Sequence, residues 1–248
     1  MNSPVDKDNP GLDVYLQEQK IGRLWLDERR RFVFQYDAAW IGHPKAVRIS
    51  LRLPLKAAPY PDDLARPFFS NLLPEAEIKR VIAQRLRISV DNDFAMLNRI
   101  GGECAGAVSV LPAGAAPTAA PGYRELNDEE LHQIIIDLPR RPLMAGLEGM
   151  RLSLAGAQSK LPVYMDRDQI FIASGNAPSS HILKPPIRDL EDTVGNETFC
   201  IMLAQRMKLP VPTVTIRQGI DRLFIIARYD RSRNKSGGLV RIHQEDFC

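Results

Sequence analysis

A short run of small and polar residues in the second half of the sequence has the composition of an anion-binding turn. It consists of Ala155, Gly156, Ala157, Gln158, Ser159 and Lys160. Glycine and alanine let backbone N–H groups approach an anion closely, and the lysine adds a positive charge. The same composition also fits a plain hairpin turn. The sequence contains neither G-x-x-x-x-G-K-[ST] nor G-x-G-x-x-G, which argues against a Walker-type NTPase and a dinucleotide-binding domain.

A lysine and a glutamate follow this turn in an order that protein kinases use. Lys184 ends the short apolar run His181-Ile-Leu-Lys, and Glu197 falls in the helix predicted to come next. In protein kinases, a strand-borne lysine after a glycine-rich hairpin binds the α- and β-phosphates of ATP and pairs with a helix carboxylate. For either residue alone, a solvated surface side chain is the alternative, so the order of the elements carries the argument.

The other residues that often carry chemistry are isolated in the sequence. The histidines at 43, 132, 181 and 243 and the cysteines at 104, 200 and 248 lack metal-ligand spacing, so we expect no metal site in this chain. So few cysteines exclude a disulfide-rich secreted scaffold and indicate reduced thiols in a cytoplasmic protein. The arginine-rich segments 29–31 and 228–233 are predicted to be solvated turns, with contact to phosphate or an acidic partner as the alternative.

Composition fits a globular protein of one large or two small domains. The 248 residues are 44% hydrophobic and 25% charged. No apolar run approaches the roughly 18 residues of a membrane span, and the polar start is not that of a signal peptide. The net charge is +3, and the positive surplus lies from residue 150 onward. This surplus favours phosphate or an acidic partner there and is weak support for direct nucleic-acid binding.

Hydrophobic periodicity predicts a mixed succession of strands and helices. In the first half, strands are predicted at 12–16, 22–26, 31–36, 47–53 and 105–111, and helices at 62–73, from 74 onward and at 91–99. An Ala/Pro/Gly-rich connection at 112–121 precedes a helix at 127–138. In the second half, strands are predicted at 151–155, 161–165, 169–173, 181–183, 213–217, 222–227 and 239–242, with one helix at 193–208. The pattern indicates an α+β fold.

Several short segments resemble the signatures of the HipA-like toxin kinases, which are serine/threonine kinases of type II toxin–antitoxin systems. Those of the N-terminal subdomain are Leu51-Arg-Leu-Pro-Leu55, Phe68-Phe-Ser-Asn-Leu-Leu-Pro-Glu75 and Gly101-Gly-Glu-Cys-Ala-Gly-Ala-Val108. Those of the kinase core are Ser153-Leu-Ala-Gly-Ala-Gln-Ser-Lys160, His181-Ile-Leu-Lys-Pro-Pro-Ile187, Asn196-Glu-Thr-Phe-Cys200, Arg228-Tyr-Asp-Arg231 and His243-Gln-Glu-Asp246. They follow the family order from about residue 12 to 248, so the resemblance covers nearly the whole sequence.

The resemblance implies a mixed β/helical N-terminal subdomain followed by a protein-kinase-like N-lobe, in which one helix packs on an antiparallel sheet. The expected domains are an N-terminal subdomain at 1–113, a linker with a helix at 114–149 and a nucleotide-binding lobe at 150–248. The catalytic C-lobe of the family is expected to be absent, because no segment after Lys184 resembles H-x-D-x-x-x-x-N or D-F-G.

The resemblance also implies a role for each segment of the site. Residues 155–160 would cradle phosphates, Lys184 would bind the phosphates of ATP, and Ser153 matches the serine that these kinases autophosphorylate. The hinge, whose backbone meets adenine, would be Ala227, Arg228 and Tyr229. Ser159 stands where some members carry an acid, and we expect little effect because backbone amides make the contacts.

Cofactors and partners follow from the same resemblance. They are ATP with Mg²⁺, whose ligands would lie in the missing lobe, a helix-turn-helix antitoxin, and a protein substrate such as an aminoacyl-tRNA synthetase. DNA would be contacted only through the antitoxin complex, and no membrane is involved. The chain alone is expected not to transfer phosphate. A non-catalytic module that binds nucleotide or antitoxin is the alternative.

Overall fold

The first unit of the molecule is a four-stranded antiparallel sheet with helices packed on it. The computed structural model describes residues 11–117, 122–146, 150–175 and 177–246. In the order β3-β2-β1-β4, the sheet contains β1 (Leu12–Leu16), β2 (Gln19–Leu26), β3 (Phe32–Tyr36) and β4 (Val108–Pro112). Strand β1 lies between β2 and β4 and is buried along its whole length. Its one charged residue, Asp13, is paired with Lys20 at 2.8 Å.

Four helices lie between β3 and β4 in the sequence. They are α1 (Ala38–Ile41), α2 (Asp62–Ser70), α3 (Ala76–Leu86) and α4 (Asp93–Ile100). The side chain of Asn92 caps α4 by accepting a hydrogen bond from Ala95 N at 3.0 Å. Helix α3 ends at Arg87, which adopts the left-handed conformation. Aromatic rings join helix and sheet, with Phe34 of β3 and Phe69 of α2 at a centroid distance of 5.3 Å.

The second unit is a six-stranded antiparallel sheet with two helices and a short hairpin. In the order β5-β7-β6-β8-β10-β9, its strands are β5 (Gly122–Leu126), β6 (Leu161–Asp166), β7 (Gln169–Ser174), β8 (His181–Lys184), β9 (Val214–Gln218) and β10 (Arg222–Ala227). The helices are α5 (Asp128–Asp137) and α6 (Thr193–Arg206), and the hairpin is β11 (Arg231–Arg233) with β12 (Leu239–Arg241). The mixed α+β fold with antiparallel sheets is thus confirmed. None of the described helices is long and apolar enough to cross a bilayer.

Residues 47–53 do not form the predicted strand. Ser50 and Leu53 make only an isolated bridge. The buried hydroxyl of Tyr36 accepts a hydrogen bond from Ile49 N at 2.9 Å and donates one to Leu53 O at 2.7 Å. A side chain therefore satisfies backbone groups that a neighbouring strand would otherwise satisfy, and the chain turns instead of extending.

Residues 151–155 also form no strand of the second sheet. Glu103 N donates to Arg151 O at 2.7 Å and Ser153 N donates to Glu103 O at 2.8 Å, which gives a single parallel bridge between Leu152 and Glu103. Leu152 and Leu154 belong to the hydrophobic core of the first unit. The alternating pattern correctly indicates a half-buried extended segment. Its apolar side chains pack against the first unit, however, and not within the second sheet.

The second sheet also has an edge strand and a helix that the sequence pattern placed in a linker. Strand β5 pairs with β7, although Leu126 is its only buried residue, so its sequence carries little strand signal. In α5, Leu131 and Ile135 pack into the core of the second unit. The prediction of a single packing helix is therefore wrong, because both α5 and α6 lie against this sheet.

Candidate functional site

The two units enclose a cavity of about 510 Å³, a size typical of small-molecule pockets. The first unit supplies the turn at residues 50–52 and apolar residues in and after α2, among them Leu64, Phe68 and Leu72. The second unit supplies Leu154, Ala155, Lys160, Ile182 and residues 226–230. Residues 244–246 complete the lining. The predicted anion-binding turn and the predicted hinge therefore face the same space.

The turn at residues 155–160, here called the glycine loop, folds back on itself. Lys160 Nζ donates a hydrogen bond to Ala155 O across the loop. Gly156 has a φ of +100°, a backbone conformation that residues with a side chain rarely adopt, so glycine is favoured at this position. Burial, and then the nearby charge of Lys184, lower the pKa of Lys160 to about 8. The loop thus carries a cation that loses its charge in mildly alkaline solution.

Lys184 and Glu197 form an ion pair at the C-terminal end of a central strand of the second sheet. Lys184 is the last residue of β8, a strand paired on both sides with β6 and β10. Asp192 caps α6 by accepting from Gly195 N at 2.9 Å, and one turn later Glu197 Oε2 lies 2.6 Å from Lys184 Nζ. The two side chains are 24% and 29% exposed, so a ligand can reach them. This is the pairing that the order of the motifs predicts.

Residues 227–229, here called the hinge segment, follow β10 along the wall of the cavity. Ala227 N donates to Thr213 O and Arg228 N donates to Ser180 O, both at 2.9 Å. The Tyr229 side chain is 70% exposed. Among the described residues, no hydrogen-bond partner is found for the Tyr229 backbone N–H. The segment therefore presents an available backbone donor beside the cavity.

Four charged side chains form a buried ion cluster behind the hinge segment, namely Glu103, Arg228, Asp230 and Arg231. Arg228 binds both carboxylate oxygens of Asp230, at 2.9 and 2.7 Å, and Arg231 Nη2 lies 3.0 Å from Glu103 Oε1. Their side chains are only 2–5% exposed. The prediction that residues 228–233 are a solvated turn is wrong for Arg228 and Arg231, since carboxylates from both units hold these guanidinium groups in the interior.

The surrounding arginines keep both carboxylates of this cluster ionised. Burial by itself raises the pKa of Glu103, but the charges of Arg228, Arg241 and Arg231 outweigh that effect and hold the pKa below its ordinary value. The pKa of Asp230 is lowered in the same way, because the hydrogen bonds and charge of Arg228 outweigh burial. Burial lowers the pKa of Arg231 to about 10, with Arg228 adding to the effect.

Ser153 lies in the interior, outside the lining of the cavity. Its side chain is fully buried, and Oγ donates to Leu72 O at 2.5 Å. Arg151 anchors the same segment through Nη2, which donates to Asn98 O at 2.8 Å. Phosphorylation of Ser153 would therefore require residues 151–154 to leave the first unit. The role of this serine in autophosphorylation stays a prediction.

The structure brings together only some of the predicted site residues. Those that line the cavity are Ala155, Lys160, Ala227, Arg228 and Tyr229. Those outside its lining are Gly156, Ala157, Gln158, Ser159 and Lys184. The wall formed by the first unit could not be predicted from the sequence, because turn 50–52 and α2 lie far from the hinge segment along the chain. An acidic residue inside the small-residue run Gly101-Gly-Glu-Cys-Ala-Gly was the one available signal for Glu103.

No group of three or more potential metal ligands is found among the described residues. Cys104 is buried, and burial raises the pKa of its thiol to about 12. His132 Nδ1 lies 3.0 Å from Asp221 Oδ2, and His243 Nε2 lies 2.9 Å from Ile49 O. Cys248, one of the three predicted free thiols, lies outside the described residues.

Two family models match the sequence, one for each unit. The family described as HipA N-terminal domain matches residues 12–111, and the family described as HipA-like C-terminal domain matches residues 152–248. Together they include the turn at 50–52, α2, the glycine loop, Lys184 and the hinge segment.

Known proteins resemble the chain over almost its full length. The protein Y4mE of Sinorhizobium fredii is 40% identical over 245 residues, which is 96% of this chain and 58% of Y4mE. The serine/threonine-protein kinase toxin HipA of Shewanella oneidensis is 30% identical, covering 96% of this chain and 54% of that protein. The chain thus spans little more than half the length of these relatives.

A solved structure has the same fold. It is the complex of Shewanella oneidensis HipA with HipB and its operator DNA, with a TM-score of 0.76 and 28% identity over 94% of this chain and 54% of that chain. The matches follow the same order as the motifs and the two units, from β1 to the residues after β12. The chain belongs to the HipA family.

Proposed function

We propose that this chain forms the ATP-binding part of a HipA-like serine/threonine kinase. The observation that carries the proposal is the Lys184–Glu197 ion pair, 2.6 Å long and partly exposed, beside a cavity that the glycine loop and the hinge segment share. In kinases this pair fixes the lysine that binds ATP phosphates.

The cavity offers different chemistry to the two ends of a nucleotide. Apolar side chains such as Leu154 and Ile182 suit a purine ring, and the Tyr229 N–H is a donor for a ring nitrogen. Lys160 in the cavity wall would supply positive charge for phosphates, together with Lys184, which lies outside the lining but close enough to lower the pKa of Lys160. Mg²⁺ would neutralise phosphate charge, and the family resemblance assigns its ligands to a segment after Lys184 that this sequence does not contain.

The wider activity follows from the relatives' names. HipA of Shewanella oneidensis is a serine/threonine-protein kinase toxin, and its structure is a complex with HipB and operator DNA. We therefore propose serine/threonine phosphorylation in the cytoplasm, and the family resemblance implies that the substrate is a translation protein such as an aminoacyl-tRNA synthetase. A helix-turn-helix antitoxin would be the regulatory partner, and DNA would be reached through the antitoxin complex. Autophosphorylation at Ser153 would be a second level of control.

A non-catalytic nucleotide- or antitoxin-binding module is the second candidate. It is favoured by the absence, in the 248 residues, of any H-x-D-x-x-x-x-N or D-F-G segment after Lys184. Phosphate transfer depends mainly on positioning and on charge neutralisation by metal ions and their Asp and Asn ligands. We therefore expect these 248 residues alone to bind ATP but not to transfer its γ-phosphate.

Calorimetric titration with ATP and magnesium tests nucleotide binding. The chain should bind ATP, and Lys184→Met should weaken binding at least tenfold, since a charge-assisted hydrogen bond contributes about 1.5–3 kcal/mol. Arg222→Gln is the matched control, because it breaks the exposed ion pair with Asp192, at the N-terminus of the same helix α6. Equal affinities of wild type and Lys184→Met would contradict the proposal.

Labelled ATP tests whether these 248 residues transfer phosphate by themselves. The pure chain, incubated with [γ-³²P]ATP and magnesium, should label neither Ser153 nor an added substrate protein. Magnesium-dependent labelling that disappears in Lys184→Met would show that a catalytic acid lies within these residues. In that case the chain is a complete kinase and the second candidate is wrong.

A further inference from the structure

Glu103, a residue of the first unit, is held in place by groups of the second unit. It lies between α4 and β4 and is 4% exposed. Its Oε1 accepts hydrogen bonds from Ser179 N at 3.1 Å, Ser179 Oγ at 2.8 Å and Arg231 Nη2 at 3.0 Å. Three donors on one oxygen fix this carboxylate group more firmly than a single surface ion pair would.

The middle residue of the hinge segment is bound to this arrangement. Arg228 Nη1 donates to Ser179 Oγ at 2.9 Å and lies 3.5 Å from Glu103 Oε1. The rest of its guanidinium group is bidentate on Asp230, and Asp230 in turn accepts from Gly106 N at 2.7 Å. The Arg228 guanidinium group is therefore connected to the first unit by two routes. One runs through Ser179 to Glu103, and the other runs through Asp230 to Gly106.

The buried ion cluster pairs two carboxylates with two guanidinium groups, and the charge of buried Arg241 also acts on Glu103. Loss of the Glu103 charge would leave Arg228 and Arg231 sharing Asp230 alone, in a region where their side chains are 2% exposed. Water cannot replace the missing charge at such depth. The two guanidinium groups would then repel each other and move apart. Because Arg228 belongs to the hinge segment, its movement would displace the backbone of that segment.

We propose that Glu103 is a positioning residue for adenine recognition. Through Ser179 and Arg228 it holds the hinge segment in the conformation that presents the Tyr229 N–H to the cavity. The proposal rests on the proposed function, because it concerns the same cavity. The first unit would then contribute to nucleotide binding through Glu103 as well as through the residues that line the cavity. The effect should be confined to the base, since neither Lys160 nor Lys184 contacts the cluster.

Two ligands and two variants test the proposal in the full chain. Adenosine reports on the hinge segment alone, and inorganic tripolyphosphate reports on the lysines alone. Glu103→Gln should lower adenosine affinity about tenfold and Ser179→Ala about threefold, the loss expected for one or two buried hydrogen bonds. Tripolyphosphate affinity should change less than twofold. Asp221→Asn is the control, because it weakens the distant pair with His132 and should alter neither affinity.

Hydrogen exchange without ligand provides a readout that does not depend on ATP binding. Amides of residues 227–230 should exchange faster in Glu103→Gln and in Ser179→Ala than in wild type. Unchanged exchange there, or an equal loss of affinity for both ligands, would overturn the proposal. If Glu103→Gln does not fold, Ser179→Ala decides by the same criteria. Faster exchange in a chain whose wild type binds neither ligand would refute the proposed function and leave the positioning of the hinge segment standing.

Discussion

Two ion-pair sites in this molecule use the same chemistry at different depths. Lys184 and Glu197 are 24% and 29% exposed, whereas the side chains of the buried ion cluster are 2–5% exposed. A partly exposed pair contributes little to stability and can exchange a carboxylate for a phosphate at low cost. A fully buried cluster cannot lose one member without leaving an uncompensated charge. Depth, more than residue type, therefore separates a ligand-binding pair from an architectural one.

The two sites also differ in what they connect. The Lys184–Glu197 pair joins a strand and a helix of the same unit. The buried ion cluster joins the first unit, through Glu103, to the chain on both sides of Tyr229. The first unit thus makes a buried ion pair with the hinge segment in addition to its contacts with the rest of the second unit.

The largest expected effect separates the two sites by stability. Arg228→Met leaves Asp230 buried without its main partner and should lower the free energy of unfolding by about 3–5 kcal/mol. Glu197→Gln should lower it by about 1 kcal/mol or less. Urea denaturation followed by circular dichroism measures both. Equal losses would remove the distinction between a buried and a functional site.

ATP affinity should depend strongly on Lys184, although its ion pair with Glu197 contributes little to stability. Lys184→Ala should weaken ATP binding by about 10- to 100-fold, which corresponds to one charge-assisted hydrogen bond. Lys160→Ala should weaken it only about threefold, since backbone amides of the glycine loop also support the phosphates. Calorimetric titration of both variants is the measurement. Equal affinities would remove the special role of Lys184.

Substitutions of Ser153 test whether residues 151–154 influence ATP affinity. Ser153→Asp places a carboxylate against Leu72 O, where no donor is available, so residues 151–154 should leave the first unit and disturb the adjoining Ala155. ATP affinity should fall about fivefold, whereas Ser153→Ala should bind ATP about as tightly as wild type. Tight ATP binding by Ser153→Asp would show that this segment is independent of the cavity.

The smallest expected effect is a pH dependence at Lys160. Its lowered pKa of about 8 means that the ammonium form prevails at pH 7 and the neutral amine at pH 9. ATP affinity should therefore fall about threefold as the pH rises from 7 to 9. Lys160→Arg keeps its charge over this range and should flatten the profile. A wild-type profile identical to that of Lys160→Arg would contradict the assignment.

The local elements and the second sheet could largely be predicted from the sequence, because alternation and helical spacing are local signals. Strands β6, β7, β8 and β10 and helix α6 lie within a few residues of their predicted positions. The failures have a long-range cause. Residues 151–155 extend along the first unit, and a tyrosine hydroxyl replaces a strand partner at 47–53. The residues that hydrogen-bond these two segments are distant in sequence, so local hydrophobic periodicity does not reveal them.

The candidate site divides in the same way. The order of loop, lysine and glutamate is a linear pattern, and the Lys184–Glu197 contact agrees with it. Burial of Arg228 and Arg231 depends on Glu103, more than a hundred residues earlier in the chain. An arginine-rich turn has the same composition whether it faces water or a buried carboxylate, so composition alone predicted the wrong surroundings.

Hydrogen exchange with and without ATP and magnesium tests the central claim most directly, namely that one cavity holds a nucleotide between the glycine loop and the hinge segment. We expect ATP to slow exchange in peptides covering residues 155–160 and 227–229 together, and Lys184→Met to need at least tenfold more ATP for the same protection. Protection of neither segment at saturating ATP, or protection confined to a surface away from the cavity, would contradict it.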